Sequence, residues 1–365
     1  MQITAAVARA KKAPLTIEEI TLGEPRADEV LVRLVAAGIC HTDISMRDHL
    51  IYPVPHPVVL GHEGAGIVER IGVGVTRVVP GDAVILASAF CGHCPSCDAG
   101  FPIYCYEFHE RNFEGTRIDG SSPLSKGKEV IYYYQGQSSF ATHAVLRERS
   151  VVKVPKDAPL EMLGPFGCGI MTGAGAVINS LGVDIDHSVA VFGTGSVGLS
   201  AIMAAKLVGA GTIIAVDLVD ARLELARELG ATDTINSGRQ SAPEAVRKIL
   251  PLGVDFIVDT TANPTVLREA VALLALRGTL GLVGGAPKGL EFPLDVQHML
   301  TGGRTVRGII EGDANPDIFL PKLVDLFVKG KFPIDRLVTF YPFARINDAI
   351  ADSLSGKVVK PILRF

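Results

Sequence analysis

The chain has no long run of charge of either sign, and its net charge is only −4. Nucleic acid or an anionic membrane held by bulk charge is therefore not an expected partner. Its first residues, MQITAAVARAKKAPLTIEEI, hold no apolar core of a secretory signal, so a cytoplasmic protein is expected. There is no low-complexity linker and no repeat at a solenoid period. The uncharged stretch Met162 to Val183 has the length of a bilayer span. Pro165, Asn179 and several glycines interrupt it, so a buried segment of a soluble enzyme is the expectation. No cysteine is left over: all six fall into two groups.

What is present suits a core of substantial size, with 48% hydrophobic and 20% charged residues in 365. Up to about residue 155, short Val-, Ile-, Gly- and Pro-rich runs such as EVLVRLVAAGI, GAGIVERIG and GDAVILAS predict strands separated by turns. From about residue 180 to 310 the pattern changes. Strand-like VAVF, TIIAVD, VDFIVDTT and TLGLVGGA alternate with helical LSAIMAAKLVGA, DARLELARELGA and VLREAVALLALRG. That alternation predicts an α/β, doubly wound parallel sheet. The tail adds an amphipathic helix, DIFLPKLVDLFVKG, and a strand-like KPILRF.

Gly193, Gly195 and Gly198 form a GxGxxG turn that follows a strand and opens a helix, with Ser196 and Val197 inside it. Asp217 ends the next strand, about 20 residues on. The first glycine permits a tight turn, the second admits a pyrophosphate, and the third lets helix and strand pack closely. The helix N-terminus offers free N–H groups to phosphate. Asp217 would bind a ribose diol and repel a 2′-phosphate, and Leu218 and Val219 follow it rather than arginine, so NAD is expected over NADP. Arg222 is a candidate flank of the adenosine pocket.

Cys91, Cys94, Cys97 and Cys105 lie within CGHCPSCDAGFPIYC, a spacing that predicts a closed four-thiolate zinc cage. Gly92, Pro95 and Gly100 supply its turns. Cys40 and Cys168 lie far apart, with Gly61-His62-Glu63 between them. Two cysteines and one histidine leave a coordination position open, as zinc sites that do chemistry require.

With Gly64, Gly66, Gly72 and Val75 following that histidine, the chain resembles the zinc-dependent medium-chain alcohol dehydrogenases over essentially its whole length. The resemblance implies a GroES-like β-rich catalytic domain, residues 1–169 and 311–365, with a Rossmann NAD-binding domain, 170–310, inserted. It implies a homodimer or homotetramer acting on a small-molecule alcohol or aldehyde, with NAD and two Zn2+ per chain. Cys40, His62 and Cys168 would hold the catalytic zinc, Asp43 would orient His62, and Glu63 would stand close behind. A zinc there acidifies the alcohol, whose carbon then gives hydride to NAD. Thr42 stands where the family places the hydroxyl that accepts the substrate proton. Ser45 stands where well-studied members carry the relay histidine, leaving His41, His49 or water as the terminal group. His41 and Lys360 match basic contacts to cofactor phosphates. RNFEGTRIDGSSPL resembles the aryl-alcohol branch, which includes enzymes of allylic alcohols such as geraniol; Tyr52, Ile309 and Gly284-Gly285 fall near pocket positions. A glutathione-dependent formaldehyde or polyol dehydrogenase on the same scaffold, and a non-catalytic NAD- and zinc-binding protein, are the alternatives.

Overall fold

A computed structural model describes residues Met1–Phe365, which divide into two compact units. The first comprises 1–168, 315–329 and 334–365; the second comprises 169–314 and 330–333.

The first unit is built on two β arrangements. Strands Gln2–Ala8, Thr16–Leu22, Leu124–Lys126, Glu129–Tyr133 and Val58–Val59 close a small barrel. A seven-stranded sheet runs Val151–Lys153, Ala83–Leu86, Glu63–Ile71, Glu29–Gly38, Lys360–Arg364 and Val338–Pro342, with His143–Arg147 also pairing Glu29–Gly38. The expected run EVLVRLVAAGI is buried along most of its length because both flanks are paired and both faces covered. Its end matters most. Gly38 pairs antiparallel with Glu63 and lies beside Ile362 of the last strand, so three strand ends meet there.

The second unit is a six-stranded parallel sheet in the order Asp233–Asn236, Thr212–Asp217, Ser188–Phe192, Val254–Asp259, Leu274–Leu282, Thr305–Gly308. Every adjacent pair is parallel, as the strand–helix alternation requires. The fold class read from the sequence is thus borne out. Two local readings are corrected. VLREAVALLALRG is not one helix: the helix ends at Leu273, and Leu274 already pairs with Val254 as a strand. Leu273 and Leu274 are both core residues, so a continuous apolar run hid the switch. The strand Asp233–Asn236 and the helix Ala242–Ile249, capped by Ser241, had no distinct sequence signal of their own.

The uncharged stretch Met162 to Val183 is broken into short turns of helix, among them Gly164–Gly167, Gly169–Gly175 and Ala176–Ser180. No helix is long and apolar enough to cross a membrane.

Candidate metal centres and dinucleotide turn

Three chain segments converge at the end of the strand Glu29–Gly38. Cys40 caps the helix His41–Arg47, His62 directly precedes the strand Glu63–Ile71, and Cys168 ends the turn Gly164–Gly167. One ligand atom each from Cys40, His62, Cys168 and Glu63 lies within 4.8 Å of all the others. His62 Nε2 is 3.2 Å from Cys168 Sγ. Tetrahedral zinc at its usual bond lengths separates nitrogen and sulfur ligands by about 3.6 Å, so a small outward shift of these donors would admit that ion.

Asp43 organises the group. Its Oδ1 accepts from His62 Nδ1 at 2.7 Å and from the Gly61 N–H at 3.1 Å, while Oδ2 accepts from the Cys40 N–H at 3.0 Å. With Nδ1 donating to a carboxylate, the lone pair of His62 sits on Nε2, facing the thiols. Burial disfavours charge on His62, but Asp43 and Cys40 together more than offset it and raise the pKa well above the usual histidine range. The Cys40 thiol is drawn well down by Cys168, against the cost of burial, with His62 adding to the effect. The buried negative charge of Asp43 and the Cys40 thiolate favours positive charge at this point, a proton on His62 or a metal ion in its place.

The other expected site residues are placed as follows. Thr42 Oγ1 lies 3.5 Å from Cys40 Sγ. Ser45 is buried and His41 exposed on the same helix. His49, at φ 52°, packs its ring 5.0 Å from that of His56, and neither Nε2 has a partner. Lys360 is not at the surface: it is 1% exposed, with Nζ 2.9 Å from both oxygens of Glu63. Tyr52 packs against His109 and Phe113 in the first unit, whereas Ile309 is buried and Gly284 abuts Thr260 in the second.

Sequence reasoning missed two neighbours. Gln137 donates to the His62 carbonyl at 3.1 Å and accepts from the Gly64 N–H at 3.4 Å, bracketing the histidine's backbone. Tyr134, fully buried, sets its ring edge-on to His62 with centroids 5.7 Å apart. Both sit in the loop YYYQGQSSF, far along the chain, and only a cluster of polar residues in an apolar setting hinted at them.

The four remaining cysteines form a second group, again with ligand atoms within 4.8 Å of one another. Cys91 Sγ is 3.9 Å from Cys97 Sγ, close to the roughly 3.8 Å of a tetrahedral four-sulfur zinc site. Backbone N–H groups of His93 and Cys94 point at Cys91 Sγ, and those of Cys91 and Glu107 at Cys105 Sγ. Such donors stabilise thiolates. The Tyr106 N–H lowers Cys94 to about 6, while burial pushes Cys97 to about 12 and Cys105 upward. Four thiolates this close together repel one another, so a full set of four calls for a cation. Gly92 and Gly100 both take the left-handed backbone that these tight turns need.

In the second unit, Gly193 adopts φ 87°, and a Cβ there would meet Thr260 Oγ1 at 2.3 Å. A Cβ on Gly198 would strike the Gly193 carbonyl at 1.9 Å, whereas nothing lies within 4 Å of one on Gly195. The turn is closed at its first and third glycines and open at the second. Gly195 caps the helix Ser196–Val208, whose first N–H groups have no partner within the helix. Asp217 is more occupied than its expected role implied. Oδ2 accepts from Thr194 N–H and Oγ1 at 2.6 and 2.7 Å, and Oδ1 from the Leu218 and Val219 N–H groups at 2.7 and 3.0 Å. Arg222 stands in the first turn of the helix Asp220–Leu229, its Nε buried without a partner.

Residues 26–156 match the family described as alcohol dehydrogenase GroES-like domain, and residues 196–329 match zinc-binding dehydrogenase. A geraniol dehydrogenase of Castellaniella defragrans is 44% identical over 364 residues, 99% of this chain and 97% of that protein. The chain belongs to the zinc-binding alcohol dehydrogenase family. Among solved structures, an alcohol dehydrogenase zinc-binding domain protein from Burkholderia ambifaria shares 52% identity at a TM-score of 0.98, covering 100% and 99% of the two chains. The benzyl alcohol dehydrogenase of Acinetobacter calcoaceticus shares 47% at 0.97, with the same coverage. The resemblance read from the GHE motif and the two cysteine groups is borne out, and the chain is a zinc-type alcohol dehydrogenase.

Proposed function

We propose that this dehydrogenase oxidises a primary aromatic or allylic alcohol, of the benzyl alcohol or geraniol kind, to its aldehyde, with hydride passing to NAD. The observation that carries the chemistry is the convergence of Cys40, His62 and Cys168, two thiols and one imidazole, around a single point. A zinc ion held there by Cys40, His62 and Cys168 would supply the acidification of the substrate hydroxyl. The chain's own residues do the rest. Asp43 fixes the tautomer and angle of His62. Thr42, beside Cys40, accepts the hydroxyl proton at Oγ1. Ser45 takes the next relay position in place of a histidine, and His41, His49 or water carries the proton on to solvent. One alcohol and one NAD+ thus give one aldehyde, one NADH and one proton.

For the cofactor, the open face at Gly195 and the free N–H groups of Ser196, Val197 and Gly198 receive the pyrophosphate. Asp217, a carboxylate at the end of the second sheet strand, favours a ribose diol and disfavours a 2′-phosphate. His41 and Arg222 are the basic groups assigned to the cofactor's neighbourhood; Lys360, matched by resemblance to a phosphate contact, is instead buried with its ammonium on Glu63. The four-cysteine lobe holds a second, structural zinc.

The substrate class rests on likeness to the geraniol and benzyl alcohol enzymes and on Ser45 in the relay position. Conjugated alcohols give a stabilised carbonyl, and they suit an apolar pocket with few polar contacts. Tyr52, Ile309 and Gly284-Gly285 are the assigned pocket residues. A cytoplasmic homodimer or homotetramer with a catalytic domain of residues 1–169 and 311–365 completes the proposal.

The test is NADH formation with benzyl alcohol, cinnamyl alcohol, geraniol and ethanol, each with NAD and with NADP, beside zinc analysis. Fast turnover of the conjugated alcohols with NAD supports the assignment. Preference for ethanol, a polyol or the formaldehyde–glutathione adduct overturns the substrate class. Absence of turnover with both zinc ions bound makes the chain a non-catalytic binder.

A further inference from the structure

Glu63 faces two competing partners. One of its oxygens lies within 4.8 Å of the ligand atoms of Cys40, His62 and Cys168. A carboxylate is a good zinc ligand, at about 2.0–2.2 Å, so Glu63 is a fourth donor within a short swing of a three-donor site. Its other partner is Lys360, whose Nζ lies 2.9 Å from both carboxylate oxygens and 3.3 Å from the Ile39 carbonyl. Lysine and carboxylate are both almost wholly buried. A buried carboxylate needs a cation, and here two cationic sites flank it.

The surrounding backbone is shaped for the carboxylate's present seat. A Cβ on Gly38 would sit 2.1 Å from Glu63 Oε2, and one on Gly164 would sit 2.2 Å from the Glu63 carbonyl. Strand pairing of Gly38 with Glu63, and of Ile362 with Gly38, sets the lysine and the glutamate on neighbouring strands.

We propose that Lys360 is a positioning residue that claims both oxygens of Glu63 and so keeps that carboxylate from closing the fourth position of the metal. The inference rests on the assignment of Cys40, His62 and Cys168 as metal ligands. Removing the ammonium takes from buried Glu63 the cation that holds both its oxygens and leaves the metal beside it. The carboxylate then enters the coordination sphere and shuts out substrate. Lys360 thereby maintains the vacancy that catalysis uses.

The experiment uses full-length enzyme with cobalt(II) exchanged into the catalytic position, and follows its visible ligand-field spectrum and the response to imidazole, a ligand that needs the open position. In wild type and Lys360→Arg, imidazole is expected to shift the spectrum. In Lys360→Met the starting spectrum is expected to differ and imidazole to leave it unchanged, with kcat/KM for the alcohol down about ten-fold or more. The double variant Lys360→Met, Glu63→Gln is expected to regain the imidazole response. If Lys360→Met does not fold, Lys360→Gln, which keeps a neutral donor, is expected to give a partial response. An imidazole shift of wild-type size in Lys360→Met or Lys360→Gln overturns the proposal. If wild type takes up no cobalt beyond the cysteine lobe, the metal assignment itself fails, and this proposal with it.

Discussion

Asp43 and His62 are joined by a 2.7 Å hydrogen bond between Oδ1 and Nδ1, and the same carboxylate receives the backbone N–H of Cys40 at 3.0 Å. One side chain thus orients one metal-site residue and fixes the backbone of another. Asp43→Asn keeps the shape and loses the charge. Zinc affinity at this site is expected to fall about 10- to 100-fold, with zinc in the cysteine lobe retained. Competition dialysis against a chelator, with metal counted per chain, checks it.

The cysteine lobe makes a separate prediction. Cys105→Ser removes one of four donors whose ligand atoms lie within 4.8 Å of one another. Zinc is expected to fall by one per chain and thermal stability to drop, because structural zinc contributes directly to folding. The spectrum of cobalt in the Cys40 site should be unchanged. A stable variant that keeps its full zinc content would refute the assignment.

Asp217 holds the glycine turn as well as facing the cofactor's assigned place. Its four accepted hydrogen bonds come from Thr194, Leu218 and Val219. Asp217→Asn removes the charge that disfavours a 2′-phosphate. The KM for NAD is expected to rise about ten-fold, as for loss of a charge-assisted hydrogen bond, and NADP to become a usable substrate. Parallel initial-rate measurements with both cofactors decide it.

A pH effect follows from Asp82. Burial pushes this carboxyl up, but the Lys153 ammonium at 2.8 Å and the Val79 N–H at 3.0 Å more than offset it and hold the pKa below its usual value. A carboxylate with a depressed folded-state pKa stabilises the fold above its unfolded pKa, about 3.9. That stability is lost as pH falls through the folded value. Asp82→Asn is expected to cost about 1.5–3 kcal/mol at neutral pH. Denaturant titrations of both proteins should show the difference shrinking below about pH 4. A difference constant with pH would exclude the charge as its source.

Much of the site was legible because its residues are locally marked. The glycine turn announces itself by three small residues and a following acid, and the lobe by four cysteines in a short loop. Asp43 and Cys40 are neighbours in one helical turn, so their relation is local too. Gln137 and Tyr134 were not legible, since nothing in their own stretch says that it will lie beside His62. The burial of Lys360 against Glu63 was not legible either, because a lone lysine near the end of a chain carries no sign of its burial.

The sequence by itself determined the strand–helix alternation of the second unit, save the strand Asp233–Asn236 and the helix Ala242–Ile249, together with the two metal-type donor sets and the dinucleotide turn. These depend on periodicity and short spacing, which are properties of neighbouring residues. Tertiary structure alone decided that Lys360 should meet Glu63 across 297 positions, and that Gly38 should be too close to Glu63 to carry a side chain. The register between the strands Glu29–Gly38, Glu63–Ile71 and Lys360–Arg364 sets that meeting. Strand register is fixed by the packing of whole faces rather than by any single residue.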